Sequence, residues 1–141
     1  TAFYTVLVDS DDMNEPITDA VRGILDGHIV LSRKLAQAYH YPAIDVLASI
    51  SRLSKRVTGK MTQKACAKLR TVMSTYQNNE TAIVAGIYAR GNSPAIDEAI
   101  DLHQQIEEFL TQEEYEPSSL EFTLKELSRL TEIEIPESEF V

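Results

Sequence analysis

Residues 57–76 read VTGKMTQKACAKLRTVMSTY, and the pattern of the chain changes within this stretch. After Gly59, apolar side chains recur at steps of three and four residues, at Met61, Ala65, Leu69, Val72, Met73 and Tyr76. This spacing places them on one face of an amphipathic helix. Before Gly59, short apolar runs alternate with helical patterns. The sequence therefore predicts an α/β segment that ends near Val57 and a mainly helical segment after it.

The α/β segment has the rhythm of strand, helix, strand and helix. The predicted elements are a strand over residues 1–8, a helix over residues 16–25, a short buried strand over residues 29–31 and a helical turn over residues 34–39. The first run is apolar without alternation, which is typical of a strand buried on both faces of a parallel sheet. Its neighbouring strands are expected upstream of Thr1. Residues 41–45 are predicted to be irregular, because Pro42 disfavours helical dihedrals at Tyr41.

The helical segment is predicted to continue after Tyr76 through a second helical stretch that contains Ile83 and Ile87. A further helix is expected to begin with Ser93 as its cap and Pro94 in its first turn. The last helix is predicted to start with a capping box, in which Ser118 is the cap and Glu121 follows three residues later. Residues 132–141 contain four Glu and one Pro, and they are predicted to form a frayed or disordered tail.

Charge is distributed unevenly along the chain, whose net charge is -9. Residues 1–70 carry ten basic and seven acidic side chains, whereas residues 71–141 carry three basic and fifteen acidic ones. The acidic total argues against a dedicated nucleic-acid-binding protein. A basic run without intervening acids remains, which is either a solvated helix face or a site for phosphate or an acidic partner. Its members are Arg52, Lys55, Arg56, Lys60, Lys64, Lys68 and Arg70.

Several classes of site are excluded by the residues present. A single cysteine, Cys66, rules out a disulfide scaffold and a cysteine-rich zinc site, and it favours a reducing compartment. No apolar run approaches the roughly 18 residues of a membrane span, and no signal peptide is recognisable, so a cytoplasmic location is expected. The chain has no Gly-rich phosphate loop and no H-E-x-x-H motif. No metal site is predicted.

Three motifs point to a family. They are DDMNEPI at residues 11–17, ILDGHIVLSR at residues 24–33 and HYPAIDVLASISR at residues 40–52. In this order and spacing they resemble the C-terminal third of the flagellum-specific, type III protein-export ATPase, a relative of the catalytic subunit of rotary ATP synthases. The resemblance implies the C-terminal edge of a RecA-like, parallel-sheet ATPase domain over residues 1–57. An all-helical C-terminal domain is implied over residues 58–141.

The resemblance also implies a function. Family members form hexameric rings that bind ATP and Mg²⁺ at each subunit interface and couple hydrolysis to the export of flagellar proteins. The phosphate loop and metal ligands lie upstream of Thr1 in this family, so the segment alone is expected to be inactive. The implied partners are five further copies, a coiled-coil stalk protein, export chaperones and the membrane proteins of the export gate. The implied location is the cytoplasm, peripheral to the inner membrane.

The resemblance assigns roles to individual residues. Arg52 matches the arginine finger that reaches the nucleotide of the adjacent subunit, where a permanently charged, forked guanidinium neutralises the phosphoryl oxygens. Tyr41 matches the aromatic side chain that packs against adenine. Asp11, Asp12 and Glu15 match the loop that faces the central stalk. From the residues alone, Arg52 is also compatible with an ordinary surface arginine and Tyr41 with a core tyrosine.

Two alternatives of a different kind remain open at this stage. The chain can be a non-catalytic helical module that binds a stalk protein or an export chaperone. It can also belong to the ATPase of a virulence type III secretion system, which has similar motifs. The turn at residues 90–93 departs from the synthase pattern, because it lacks the acidic cluster found there in rotary enzymes, so no torque role is implied for it.

Overall fold

A computed structural model describes residues 2, 4–8 and 15–140 of the chain. Its elements, in chain order, are α1 (Pro16–Ile24), β1 (Gly27–Leu31), α2 (Arg33–Gln37), β2 (Ile44–Ser51), α3 (Ser54–Val57), α4 (Lys60–Val84), α5 (Pro94–Leu110), α6 (Leu120–Thr131) and a 3-10 turn (Glu137–Glu139). The predicted helix over residues 16–25, the strand at residues 29–31 and the helical turn after it are confirmed, but the strand is not buried as predicted, because Ile29 is 68% and Leu31 73% exposed. The predicted order of an α/β segment followed by helices is also confirmed.

The predicted first strand is not present in its described part. Residues 4–8 belong to neither strand of the sheet that the described residues contain, and the Leu7 side chain is 91% exposed. A strand requires a neighbour for its backbone N–H and C=O groups. Residues 4–8 are therefore not a strand in this structure, where the described residues contain no neighbour for them. Residues 9–14, which include Asp11 and Asp12, lie outside the described residues.

The strands β1 and β2 pair antiparallel, with Gly27 opposite Ser51 and Leu31 opposite Ile44. An irregularity in register lies between His28 and Val30, where the Ser49 hydroxyl accepts a hydrogen bond from the Val30 N–H at 3.0 Å. The irregular segment predicted over residues 41–45 is wrong at its end, because β2 begins at Ile44. Sequence reasoning missed this strand, since the proline was given more weight than the β-branched residues that follow it.

The core lies among α4, α5 and α6. The apolar stripe predicted on α4 is confirmed, and its residues Ala65, Leu69 and Val72 are buried. They pack with Ala99 and Ile106 of α5, Leu124 and Leu127 of α6, and Ile135 beyond α6. The helix α4 continues without a break to Val84, so the second helical stretch expected near Ile83 is part of α4, and Ile87 lies beyond its end.

The caps of α5 and α6 differ in detail from the predicted ones. Ser93 occupies the position before α5, but its side chain makes no capping bond. The Asp97 carboxylate instead accepts a hydrogen bond from the Gly91 N–H at 3.0 Å, which orders the turn before the helix. The cap of α6 is Ser119 rather than Ser118, because the Ser119 hydroxyl accepts from the Phe122 N–H at 3.1 Å.

The C-terminal segment packs against the helices, contrary to the predicted frayed tail. Ile135 is buried in the core. The Glu139 carboxylate accepts hydrogen bonds from the backbone N–H groups of Met61 at 3.1 Å and Thr62 at 2.8 Å. It thereby satisfies the free N–H groups at the start of α4. A Cβ atom at Gly59 would lie 1.9 Å from the Glu139 side chain, so a larger residue there would displace the carboxylate from this position.

The cap of α6 gives a stability prediction. Substitution Ser119→Ala removes the hydroxyl that accepts from Phe122, and we expect it to lower the free energy of unfolding by about 1 kcal/mol. The matched control is Ser118→Ala, whose hydroxyl contacts only the Thr123 hydroxyl at 3.3 Å on the surface. Urea denaturation of both variants checks the assignment. Equal losses would mean that the cap is not at Ser119.

A second prediction concerns pH. The backbone N–H groups of Thr62 and Met61 hold the pKa of Glu139 below its ordinary value of 4.5. The stabilisation by Glu139 is therefore fully present above pH 4.5 and is lost as the pH falls through the lowered pKa. We expect Glu139→Gln to reduce the melting temperature at pH 7, and the difference from the unsubstituted chain to shrink in acid.

The control for this prediction is Glu134→Gln, which removes an exposed carboxylate of the same segment. Thermal unfolding between pH 3 and pH 7 compares the two variants. A difference for Glu139→Gln that does not change with pH would contradict a role for its charge.

Candidate functional site

The two residues expected to meet nucleotide lie at opposite ends of β2. Tyr41 precedes the strand by three residues, and Arg52 follows its last residue directly. A strand of eight residues extends about 26 Å. The two side chains are therefore not brought together into one site. Because of this separation, the two side chains are better placed to contact two different ligands than to contact the same one.

Tyr41 lies in an exposed aromatic loop between α2 and β2. Its side chain edges against that of Tyr39, with ring centroids 5.7 Å apart and ring planes at 86°. The exposed fractions are 47% for Tyr41 and 85% for Tyr39. Tyr39 has φ of 61°, a left-handed conformation that turns the chain at the end of α2. The loop thus presents two aromatic rings to the outside. Sequence reasoning identified only Tyr41, although the run of Tyr39, His40 and Tyr41 was a signal.

The aromatic loop is attached to the end of α5. The Nδ1 atom of His40 lies 3.0 Å from a carboxylate oxygen of Glu107, and the Gln112 backbone N–H donates to the Tyr41 carbonyl at 2.8 Å. The His40 side chain is only 10% exposed. Sequence reasoning missed Glu107, because a contact across 67 residues leaves no local pattern.

A second attachment joins β2 to α4. The Arg70 guanidinium donates to the carbonyls of Val46 at 2.6 Å and Leu47 at 2.9 Å. Between this attachment and the aromatic loop lies a cavity of about 200 Å³. Its lining includes the rings of Tyr76 and His103, which stack with centroids 3.6 Å apart. The α/β segment is therefore held on the helices by polar contacts on both sides of a cavity.

Arg52 is exposed, and its guanidinium rests on the C-terminal end of α1. Its two terminal nitrogens donate to the carbonyls of Gly23 at 3.1 Å and Arg22 at 3.2 Å. Its backbone N–H donates to the Asp26 carbonyl at 2.8 Å. A guanidinium at this position complements the negative end of the helix dipole. Because these contacts are solvent-exposed, the side chain can exchange them for a ligand at little cost.

Glu15, the described member of the three predicted stalk contacts, lies at the other end of α1. Glu15 occupies the N-cap position, and its carbonyl accepts from the Asp19 N–H at 2.9 Å. Asp11 and Asp12, which were predicted with it, lie outside the described residues. Glu15 and Arg52 are therefore separated by the nine-residue helix α1.

The basic run does not form one continuous strip. Lys68 forms an ion pair with Glu98 of α5 at 3.1 Å, and Arg70 is committed to β2. Within residues 15–140, no group of three His, Cys, Asp or Glu side chains is placed to hold a metal ion. None of the described helices is long and apolar enough to cross a membrane.

Two family models match the chain. The nucleotide-binding domain of the ATP synthase alpha/beta family matches residues 1–51, and the T3SS EscN ATPase C-terminal domain matches residues 58–129. The second match covers just over half of the chain. These matches confirm the resemblance that the sequence motifs indicated. They also confirm the fold class, the edge of a nucleotide-binding ATPase domain followed by a helical domain.

Curated relatives share about half of the residues. The chain is 54% identical over 131 residues to the flagellum-specific ATP synthase of Bacillus subtilis strain 168, covering 93% of this chain and 30% of that protein. It is 51% identical over 131 residues to the type 3 secretion system ATPase of Pseudomonas savastanoi pv. phaseolicola, covering 93% of this chain and 29% of that protein. The chain thus spans about three tenths of the length of these relatives.

Solved structures agree with this similarity. The assembled ATPase EscN from the enteropathogenic E. coli type III secretion system matches with a TM-score of 0.87 and 42% identity, covering 91% of this chain and 31% of that chain. EscN in complex with its central stalk EscO matches with a TM-score of 0.78 and 40% identity, covering 82% of this chain and 29% of that chain.

The attachment of β2 to α4 gives a prediction. Arg70→Ala removes two charged hydrogen bonds to part-buried carbonyls, and we expect it to lower the free energy of unfolding by about 1–3 kcal/mol. Arg70→Lys should restore only part of the loss, because one ammonium group cannot reproduce the fork. Chemical denaturation measures both. The matched control is Lys64→Ala on the exposed surface of the same helix, and a similar loss there would contradict the assignment.

Proposed function

This chain belongs to the T3SS EscN ATPase C-terminal domain family, and we propose that it forms the C-terminal part of a hexameric ATPase that powers type III export of flagellar proteins. The observation that carries the proposal is the 54% identity to a flagellum-specific ATP synthase across 93% of the chain. Its similarity to the assembled ATPase EscN supports a ring assembly. The enzyme works in the cytoplasm, peripheral to the inner membrane.

The boundary between the two proposed domains of the chain lies after Val57. Residues 1–57 complete a RecA-like nucleotide-binding domain, and residues 58–141 form the helical domain. The two family models support this boundary, since one ends at residue 51 and the other begins at residue 58. The short helix α3 occupies the junction.

In this proposal Arg52 acts on the nucleotide of the adjacent subunit. Its exposure and its two weak backbone contacts leave it able to swing towards a phosphate group across an interface. There the guanidinium neutralises charge that develops on the transferred phosphoryl group.

Tyr41 acts at a different place in the ring, at the adenine base of the nucleotide. Its half-exposed ring offers a face for stacking, and Tyr39 limits its rotation by the edge contact. ATP and Mg²⁺ are the proposed cofactors. When bound, Mg²⁺ neutralises the phosphate oxygens. In this proposal, as the family resemblance implies, upstream residues hold the phosphates and the ion, and this segment contributes the finger and the base platform.

The proposed partners are further copies of the chain, a coiled-coil stalk protein, export chaperones and the export-gate membrane proteins. The complex of EscN with its central stalk EscO supports a stalk partner. Asp11, Asp12 and Glu15 are the proposed stalk contacts. An acidic loop attracts a basic helical stalk over a distance, and salt weakens this attraction.

A second candidate is the ATPase of a virulence secretion system. The 51% identity to a type 3 secretion system ATPase favours it nearly as strongly as the flagellar alternative. Both candidates share the hydrolytic chemistry. Complementation of a strain that lacks its flagellar ATPase separates them, because restored motility supports the flagellar role.

The arginine finger is tested in the full-length protein. We expect Arg52→Ala to reduce the ATPase turnover by about a thousandfold while ATP binding is retained, because the finger acts on the transition state. Activity of the unsubstituted enzyme should rise steeply with protein concentration as rings form. The segment 1–141 alone should not hydrolyse ATP.

The control is Arg56→Ala, which removes an exposed arginine of the same basic run. Turnover should then stay within about twofold of the unsubstituted enzyme, as expected for a surface substitution. Normal turnover in Arg52→Ala would remove the finger assignment. A full-length protein without any ATPase activity would leave the non-catalytic helical module as the better account.

A further inference from the structure

We propose that Glu107 of α5 is a positioning residue for the nucleotide-base platform at Tyr41, so that the helical domain sets the affinity for the base. This inference rests on the proposed function and adds to it a residue from the helical domain. It is carried by the juxtaposition of Glu107 with His40, the residue directly before Tyr41.

The contact between His40 and Glu107 holds a largely buried histidine directly before the exposed ring of Tyr41. The His40 imidazole N–H donates to the Glu107 carboxylate at 3.0 Å, and the His40 side chain is 10% exposed. The Tyr41 ring is 47% exposed. Immediately after α5, the Gln112 backbone N–H donates to the Tyr41 carbonyl at 2.8 Å. Two consecutive residues of the aromatic loop are therefore bonded to one end of one helix.

Apolar packing does not fix this loop against the helices. The cavity of about 200 Å³ lies beneath it, lined by Ile44 and Val46 on one side and by Tyr76 and Ile106 on the other. Across such a gap, the apolar walls lose part of their mutual contact and do not define a single separation. The polar bonds at the rim therefore determine where the loop sits relative to α5.

The remaining supports of the loop come from its own neighbours in sequence. The backbone N–H groups of Tyr39 and His40 donate to the carbonyls of Ala36 and Leu35 at 3.1 and 3.0 Å. These bonds fix the turn at the end of α2 but leave its distance from the helical domain unspecified. The Thr111 hydroxyl at the end of α5 lies 3.5 Å from the same His40 nitrogen, so Glu107, at 3.0 Å, provides the shorter and the charged side-chain contact between this turn and α5.

The strength of stacking between the Tyr41 ring and a base depends on how firmly the Glu107 contact holds the loop. Dispersion contacts fall off steeply when facing atoms separate by even half an ångström to one ångström. A loop that has lost its anchor samples positions in which the Tyr41 ring no longer meets the base squarely. The expected consequence is weaker ground-state binding of the nucleotide. The phosphoryl-transfer step, which depends on Arg52 and on upstream residues, is unaffected.

The test uses the full-length protein and steady-state hydrolysis at varied ATP concentration. We expect Glu107→Ala to raise KM for ATP about threefold to tenfold and to leave kcat within about twofold. Glu107→Gln keeps an acceptor oxygen and should restore KM most of the way. A purely structural role would instead lower kcat together with the folded fraction.

Matched controls come from the same helix and from the other partner of the contact. Glu108→Ala removes the adjacent carboxylate, which pairs with Gln104 on the exposed side of α5, and it should leave KM unchanged. His40→Ala breaks the contact from the loop side and should reproduce the effect of Glu107→Ala. It keeps the test decisive if Glu107→Ala fails to fold.

The double variant Tyr41→Ala/Glu107→Ala decides whether Glu107 acts through the platform. If Glu107 acts through the Tyr41 ring, the KM of the double variant equals that of Tyr41→Ala, because the loss of Glu107 cannot misplace a ring that is already absent. Independent, multiplying effects overturn the inference, as does an unchanged KM in both Glu107→Ala and His40→Ala. If Tyr41→Ala raises KM and Glu107→Ala does not, only the inference fails. If Tyr41→Ala itself leaves KM unchanged, the base platform of the proposed function fails with it.

Discussion

The apolar stripe of α4 is the constraint on which the helical part of the molecule depends. A helix of 25 residues with one apolar face must cover that face, and α5 and α6 do so from Met61 to Tyr76. Ala65 of α4 and Ala99 of α5 are fully buried, which is typical of two helices that approach closely through small side chains. The start of the same helix is capped by Glu139, and its outer side carries Arg70 towards β2. Core, tail and junction are thus all organised around one element.

The junction between the α/β segment and the helices follows a different physical rule. Polar contacts join the two segments at two places, through Arg70 at one and Glu107 at the other, and a cavity lies between these contacts. Polar contacts of this kind have defined directions but modest net energies, because water competes for each group. Such a junction defines the relative position of the two segments but does not make it rigid. This property fits the proposed ATPase function, in which the two segments pass through several nucleotide states in each cycle.

The predictability of the molecule follows the range of the interactions involved. The stripe on α4 and the starts of α1 and α5 were predictable, because the periodicity and the prolines at residues 16 and 94 act within a few residues. The strand β2 was missed and the cap of α6 was displaced by one residue, since neighbouring serines and a preceding proline leave the local signal ambiguous. The ordered C-terminal segment was not predicted, because an acidic composition favours exposure to solvent. The contact that orders it joins a carboxylate of this segment to a distant helix start, and such a contact leaves no local pattern. Tyr41 and Arg52 were found through motifs, whereas Glu107 and Arg70 depend on contacts that only the folded chain reveals.

The bond between Glu139 and the start of α4 brings the first and last residues of the helical domain to the same point, although 78 residues separate Met61 from Glu139. The packing of the three helices and the position of the C-terminal segment therefore depend on the same contact. A substitution in the segment that carries Glu139, or at the start of α4, therefore acts on both ends of this helical unit at once.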